Sequence, residues 1–236
     1  MAVTVVGTPA TYGSVNTEAT STIGVTVPAG ATKLVLCLST AVGAAYTISS
    51  VVYNGVETMT PGVSLATAGF RNLITAIYYV DNPIATTANI VVTYASSTPR
   101  VGAVAFCVTG SGVGVGNTQT ANQANTLSLT GNVGDLMVSC LNIEPTTQTI
   151  AAQNSQTEQG QGVCSVSTGP RCGGATVAAT GSAQTLSWTI TGGGQDDEAI
   201  VALAIGSTLP FVADEDFAVL PTCPDNTIAS VWGGSA

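Results

Sequence analysis

The sequence predicts an all-β protein, built as a two-sheet antiparallel β-sandwich and followed by an extended C-terminal arm. Runs of about four to eight residues rich in Val, Ile and Thr are separated by Gly, Pro and Asn, which is the pattern of strands and turns. Turn signals recur roughly every ten residues, as in sandwiches and unlike parallel βαβ units. Helix signals are nearly absent, so no helical layer is expected.

The strands are predicted from β-branching and alternation, in chain order, and each is bounded by turn residues. Asn54-Gly55 stands between two of them and predicts a type I′ hairpin, because both central positions of that turn need a positive φ. The predicted strands are residues 2–6, 22–27, 33–40, 47–53, 56–60, 72–80, 88–94, 101–109, 125–130, 135–143, 174–179, 184–190 and 198–206.

Two long polar segments interrupt the strand list. Residues 110–126 are glycine- and asparagine-rich and predict a flexible connection that crosses from one end of the sandwich to the other. Residues 154–174 predict a second polar loop and a candidate contact surface, because loops of this length in a compact domain are usually functional or disordered.

The chain divides by composition into a sandwich domain, residues 1–207, and an arm, residues 208–236. The arm holds three prolines, an acidic trio at 214–216 and the large apolar side chains Phe211, Phe217 and Trp232. These three side chains are the candidate interaction residues, since they suit docking on a neighbouring molecule. The alternative is a tail folded back on its own sandwich.

Charge is scarce and acidic. The chain has 4 basic and 13 acidic residues, a net charge of −9 and only 7% charged residues, against a usual figure of about 25%. Nucleic-acid binding needs clustered Lys and Arg, whereas the basic residues here are scattered singly, so that class is excluded. A surface of Thr, Ser, Asn and Gln suits repeated packing with copies of itself or with other subunits, although an ordinary secreted β-protein has a similar composition. The basic residues are Lys33, Arg71, Arg100 and Arg171.

Mean hydropathy is high, at +0.42, but no apolar run approaches the roughly 20 residues of a spanning helix. No membrane partner is therefore expected. The N-terminal residues lack the basic and long apolar regions of a signal peptide. This predicts synthesis in a cytoplasm without export, and a mature secreted chain with an added Met is the alternative.

Five of the six cysteines fall into two groups, and the sixth, Cys223, lies in the C-terminal arm. Cys37, Cys107 and Cys140 lie inside apolar runs, where a free thiol behaves as a small core hydrophobe. Cys164 and Cys172 flank a short loop, and a disulfide between them would staple a hairpin. Zinc is not expected, because there is no CxxC and no histidine.

Six groups of segments follow one another between residues 22 and 207: VTVPAGATKLVLCLST, ISSVVYNGVETM, ITAIYYVDNPIATTANIVVTYA, VGAVAFCVTGSG, LSLTGNVGDLMVSCLNI, and LSWTI with AIVALAIG. In this order they resemble a recurrent β-sandwich domain of phage structural proteins and large bacterial surface proteins. The resemblance covers about four-fifths of the chain and implies a jelly-roll-like architecture with no shared active site. It does not extend to the cysteines or the arm.

Catalysis is not expected. Without histidine, the Ser-His-Asp and Cys-His arrangements cannot be built. A glycosidase needs two carboxylates facing each other in an aromatic cleft, but aromatic residues make up only 5% of the chain. The candidate carboxylates are all predicted at turns, with Asp135 as a turn cap: Glu57, Asp81, Asp135, Glu144 and Glu158.

Sugar and calcium binding are weaker alternatives. Trp188 alternates with Leu186 and Ile190 and is predicted in the core, whereas Tyr78 and Tyr79 must point to opposite faces. Calcium could use the acidic residues of 195–199 or 213–217, which otherwise predict solvated turns, so no cofactor is expected. The remaining aromatic candidates for sugar stacking are Tyr46, Tyr53 and Tyr94.

These observations favour a non-enzymatic structural protein of a virion, made in the host cytoplasm. Its expected role is that of a capsid decoration (cement) protein, or a minor capsid or tail protein, which packs in many copies on neighbouring subunits. The alternatives are a carbohydrate-binding surface adhesin and a subunit of an extracellular filament.

Overall fold

The computed structural model describes residues 1–14, 19–42, 47–68, 72–95, 100–144, 147–166, 169–192 and 197–207. Within these ranges the chain forms antiparallel strands and no helix, so the all-β prediction is confirmed. The strands are β1 (Thr4–Ser14), β2 (Thr20–Thr26), β3 (Lys33–Val42), β4 (Ile48–Tyr53), β5 (Glu57–Thr58), β6 (Thr60–Ala68), β7 (Asn72–Asp81), β8 (Thr87–Tyr94), β9 (Arg100–Thr109), β10 (Thr118–Asn122), β11 (Thr126–Thr130), β12 (Leu136–Glu144), β13 (Thr149–Ala152), β14 (Thr157–Val163), β15 (Arg171–Ala178), β16 (Ala183–Thr191) and β17 (Asp197–Ile205).

The strands make four sheets. We number them by their position in the stack: sheet I (β2-β8-β4-β5), sheet II (β1-β9-β3-β7-β6), sheet III (β10-β17-β12-β15-β14) and sheet IV (β11-β16-β13). Three hydrophobic cores lie between successive sheets. The sandwich is thus confirmed, but the described chain stacks two sandwiches back to back where a single pair of sheets was predicted.

The two sandwiches have the same topology, apart from the two-residue strand β5, which has no counterpart in sheet IV. Each pairs its first strand with its last and places its third strand at the centre of the inner sheet, with the second strand at the edge of the outer sheet. This alternation of strands between two sheets is a jelly-roll order. The first half is β1 to β9 and the second is β10 to β17, so the chain is an internal duplication.

The strand register supports the duplication in detail. In sheet II, Lys33 stands opposite Asp81 and Val108, and in sheet III, Leu136 stands opposite Ala178 and Ile205. Asp81 and Val108 are separated by the same number of residues as Ala178 and Ile205. A β-bulge also falls at the same point of the two equivalent edge strands, after Pro61 in β6 and after Glu158 in β14.

The middle strands are buried on both faces, because sheets II and III are each covered on two sides. Along β3, Leu34 and Leu36 enter the core between sheets I and II, whereas Val35 and Cys37 enter the core between sheets II and III. This explains why the central strands read as continuous apolar runs instead of alternating ones.

The Asn54-Gly55 hairpin is confirmed. Asn54 and Gly55 have φ angles of 51° and 70°, and the Val56 N–H donates to the Tyr53 carbonyl at 3.2 Å. Both central residues have the positive φ that a type I′ turn requires.

The two predicted loops are partly wrong. Residues 110–126 contain β10, which pairs with β17, and residues 154–174 contain β14, which pairs with β15. Both are edge strands with polar residues on both faces, so they lack the alternation that marks a strand in the sequence. Strand β13 was also missed. The arm, with Phe211, Phe217 and Trp232, lies outside the described residues and stays a prediction.

Candidate interaction surface

Two of the candidate carboxylates, Asp135 and Glu57, accept hydrogen bonds from the backbone. Asp135 accepts from the Asn132 N–H at 2.8 Å and from the Ser207 N–H at 3.0 Å, so its predicted role as a turn cap is confirmed. Glu57 accepts from the Ile84 N–H at 3.1 Å. Asp135 and Glu57 therefore each hold a turn or a strand end.

The first calcium candidate, 195–199, is described only from Asp197 onward. Asp197 is buried at the start of β17 and stands opposite Glu144. Burial raises the pKa of the neighbouring Glu198 above its ordinary value. Within the described ranges no cluster of three or more His, Cys, Asp or Glu side chains could hold a metal ion. The other calcium candidate, 213–217, lies outside those ranges.

The described aromatic side chains are not exposed. Trp188 is 2% exposed, as predicted for a core residue, and its indole N–H donates to the Ser139 hydroxyl at 3.3 Å. Tyr53 and Tyr94 are buried as well. Tyr78 packs on the core between sheets I and II, whereas the ring of Tyr79 lies beneath Lys33. This part of the chain therefore presents no aromatic platform for sugar stacking. Tyr46 lies outside it.

Three cysteines meet in the core between sheets II and III, which confirms the core prediction for Cys37 and Cys140. The Sγ atoms of Cys140 and Cys172 are 3.7 Å apart, and burial raises the pKa of both thiols. Cys107 is buried in the neighbouring core, also as predicted.

The predicted Cys164–Cys172 disulfide does not form in the structure, where both residues are free thiols. Cys172 stands opposite Gly162, two residues short of Cys164, so the two side chains are not directly opposed. The Cys164 thiol instead lies 3.0 Å from the carbonyl oxygen of Ser14. Whether two cysteines can form a disulfide depends on the register of their strands, and the spacing of the cysteines in the sequence does not give that register.

The edge of sheet I, at β2, is open. The Val27 N–H donates to Thr86, and Tyr94 donates to Ala19, so the odd-numbered residues of β2 make the hydrogen bonds to β8. The even-numbered residues point their N–H and carbonyl groups away from the sheet. In the described part of the chain these groups have no backbone partner. They belong to Thr20, Thr22, Gly24 and Thr26.

This edge carries none of the usual protection against strand pairing. Strand β2 contains no charge and no proline, whereas the edge strands β1 and β6 each carry a proline and a bulge. A cleft of about 620 Å³ runs beside β2, between sheets I and II. Its walls are uncharged and include Gly7, Ala10, Val25 and Pro28.

The second half has a smaller cleft at the equivalent place, between β10 and β11. Its volume is about 300 Å³, and its lining includes Ser128, Leu129 and Thr130. Here the edge is partly closed, because the side-chain amide of Asn117 donates to the Thr130 carbonyl at 2.8 Å. The edge of β2 is therefore the more open of the two.

The outer faces of the stack are hydroxyl-rich. Strands β2, β4 and β8 and the whole of sheet IV contain no charged residue. Their exposed positions are mainly Thr and Ser, so another molecule can pack on them without desolvating ions.

Comparison with protein-family models, with curated proteins and with solved structures gives no match. The resemblance to phage and bacterial surface domains stays a prediction. In the described ranges no helix is long and apolar enough to cross a membrane.

Sequence reasoning missed the open edge and its cleft, although the uncharged, proline-free run TSTIGVT was a signal for the edge. It also missed the buried pair of Lys33 and Asp81. No local signal marks that pair, because the two residues meet only through the register of β3 and β7.

Proposed function

We propose that this chain is a non-enzymatic structural protein of a virion, a decoration or minor capsid or tail protein that packs in many copies on neighbouring subunits. The observation that carries the proposal is the open edge of β2 beside its cleft. An extended segment that paired with β2 would add a strand to sheet I. Because side chains alternate along a strand, every second one would enter the cleft.

The occupant proposed for this edge is the segment after Ser207 of a neighbouring copy. Its sequence offers Phe211 and Phe217 as apolar side chains. Fully extended, residues 208–236 reach at most about 100 Å, enough to span to an adjacent subunit. One such contact need be worth only a few kcal/mol, because many copies on one shell multiply it.

The jelly-roll order of both halves supports the virion assignment, since this architecture recurs in capsid and lectin domains. The lectin alternative loses support, because the described aromatic side chains are buried or half-buried. A subunit of an extracellular filament is the second candidate, and the same open edge favours it, since head-to-tail strand addition that does not close produces filaments.

The test is the mass in solution of the full-length chain and of residues 1–207, measured by light scattering, with negative-stain microscopy of any assembly. We expect the full-length protein to associate and the shortened protein to remain a folded monomer. Finite particles favour the virion reading and open filaments the second candidate. If the full-length and the shortened protein are both equally stable monomers, the proposed docking of the arm on a neighbouring copy is wrong. A glycan-array screen would then test the adhesin alternative.

A further inference from the structure

Lys33 is buried in sheet II beside Asp81. It is 0% exposed, stands directly opposite Asp81 in the register of β3 and β7, and forms an ion pair with it. Its Nζ atom also lies 4.4 Å from the centroid of the Tyr79 ring. The ammonium group is thus removed from water and held against one carboxylate.

The fold itself does not require a charged pair here. In the second half, the equivalent positions hold Leu136 and Ala178, which are opposed in the same register. A buried ion pair is costly to desolvate and is often no more stable than an apolar pair of similar volume. The presence of Lys33 and Asp81 at this point of one half therefore calls for a separate reason.

The two oxygens of the Asp81 carboxyl are held differently. Oδ1 contacts the Lys33 Nζ atom, and Oδ2 accepts a hydrogen bond from the Gly114 N–H at 3.0 Å. An N–H aimed at a carboxyl oxygen stabilises the negative charge that this oxygen gains when the carboxyl carbon is attacked.

The environment also makes the Lys33 ammonium easier to deprotonate. Burial lowers the pKa of the Lys33 ammonium, although the hydrogen bond and the charge of Asp81 act in the opposite direction. Moving one proton from the buried ammonium to the carboxylate leaves two neutral groups, an amine and a carboxylic acid.

We propose that Lys33 and Asp81 become joined by an intramolecular amide (isopeptide) bond. After the proton transfer within the pair, the Nζ lone pair attacks the Asp81 carboxyl carbon and the C–N bond forms. The bond from that carbon to Oδ1 breaks, and this oxygen leaves as water with two protons from the amine and acid. One ammonium and one carboxylate thus give one amide and one water, with no oxidation or reduction.

Holding the two groups together replaces an encounter in solution and supplies much of the effective concentration that the reaction needs. The Asp81 side chain is 22% exposed, which leaves a route for the water to escape. The product removes two buried charges. It ties β3 covalently to β7 and restricts the unfolded chain in the way a disulfide does.

The test is the intact mass of the full-length protein under denaturing conditions. We expect a mass lower by one water than the sequence requires. After trypsin, cleavage following Lys33 is lost, so residues 1–71 stay attached to residues 72–100, because the neighbouring cleavage sites are Arg71 and Arg100. A wild-type protein of full sequence mass, with normal cleavage after Lys33, would overturn the proposal.

Two variants identify the bond. Lys33→Arg removes the nucleophile, and its product should have its full sequence mass. Asp81→Asn keeps the carbonyl carbon but releases ammonia, so its cross-linked product should have the same mass as the cross-linked wild type. If either variant fails to fold, the mass and the tryptic map of the wild type still decide the question.

Discussion

Cys37 and Cys140 occupy the same position in the two halves of the chain, and their thiols meet in the core between sheets II and III. Cys37 stands opposite Ile77 and Val104, and Cys140 stands opposite Gly174 and Val201, the corresponding residues of sheet III. The surrounding strands are related in the same way. Strand β9 of the first half packs on β15 of the second, and the equivalent strand β17 of the second half packs on β7 of the first. The interface has the form of a twofold, isologous contact, made here within one chain.

The open edge should control association. Thr22→Lys places a charge on the free edge of β2, and Thr189→Lys places the same charge on an exposed position of β16, the central strand of sheet IV. We expect Thr22→Lys to weaken self-association at least tenfold, because an edge lysine opposes strand addition, while Thr189→Lys has little effect. Analytical ultracentrifugation measures the difference.

Thr22→Pro is a second test of the same edge. It removes an N–H that points away from β8 and leaves the backbone hydrogen bonds between β2 and β8 intact. Association of Thr22→Pro at wild-type strength would show that the β2 edge is not the contact.

Close approach of the two middle sheets should make Gly162 irreplaceable. A Cβ atom at this position would overlap the backbone of Ala103 and the carbonyl oxygen of Tyr12. We expect Gly162→Ala to lower the free energy of unfolding by about 3 kcal/mol or more, since neither sheet can move without disturbing the core. Urea titration measures the loss.

Gly24→Ala is the matched control on β2, where the nearest atom to an added Cβ is Asn89 Oδ1 at 3.8 Å. Its free energy of unfolding should stay within about 1 kcal/mol of wild type. Equal losses in the two glycine variants would contradict the close approach of the sheets.

The hydroxyl of Ser139 connects Trp188 to Gln156. It lies 3.3 Å from the Trp188 indole N–H and donates to the Gln156 side-chain oxygen at 2.7 Å. Ser139→Ala leaves a buried N–H without its acceptor and should cost about 1–3 kcal/mol. Thermal unfolding followed by tryptophan fluorescence measures this cost, with the exposed Ser128→Ala as control. A loss no larger than that of the control would show that the connection contributes nothing.

The buried Cys107 thiol should make stability fall in alkaline solution. Burial raises its pKa from 9.0 to about 11, so the unfolded chain releases its proton at a lower pH than the folded chain. The contribution of the Cys107 thiol to the free energy of unfolding is therefore complete below pH 9. It decreases as the pH rises from 9 towards 11, by at most about 1.4 kcal/mol per pH unit.

Denaturant titrations across this range should give a shallower loss for Cys107→Ala than for wild type. Identical slopes would mean that the thiol does not contribute to the alkaline loss.

The sequence predicted most strands because alternation and β-branching are local properties. Strands β9 and β12, which lie in the buried layers, were predicted to within one residue at each end. Strands β10 and β14 were missed, because an edge strand that is polar on both faces leaves no period to detect. The duplication was missed because equivalent positions need only share burial and register. Only a few equivalent positions of the two halves hold the same type of residue, among them Cys37 and Cys140, and Thr60 and Thr157.

The sequence by itself determined the class of fold, the positions of most strands and the scarcity of charge, since these follow from residue types taken a few at a time. Only the tertiary structure decided that four sheets stack, that β2 keeps an open edge and that Lys33 meets Asp81. Each of these depends on which distant strands pair and in what register. A shift of one residue in the register would turn every side chain of a strand to the opposite face.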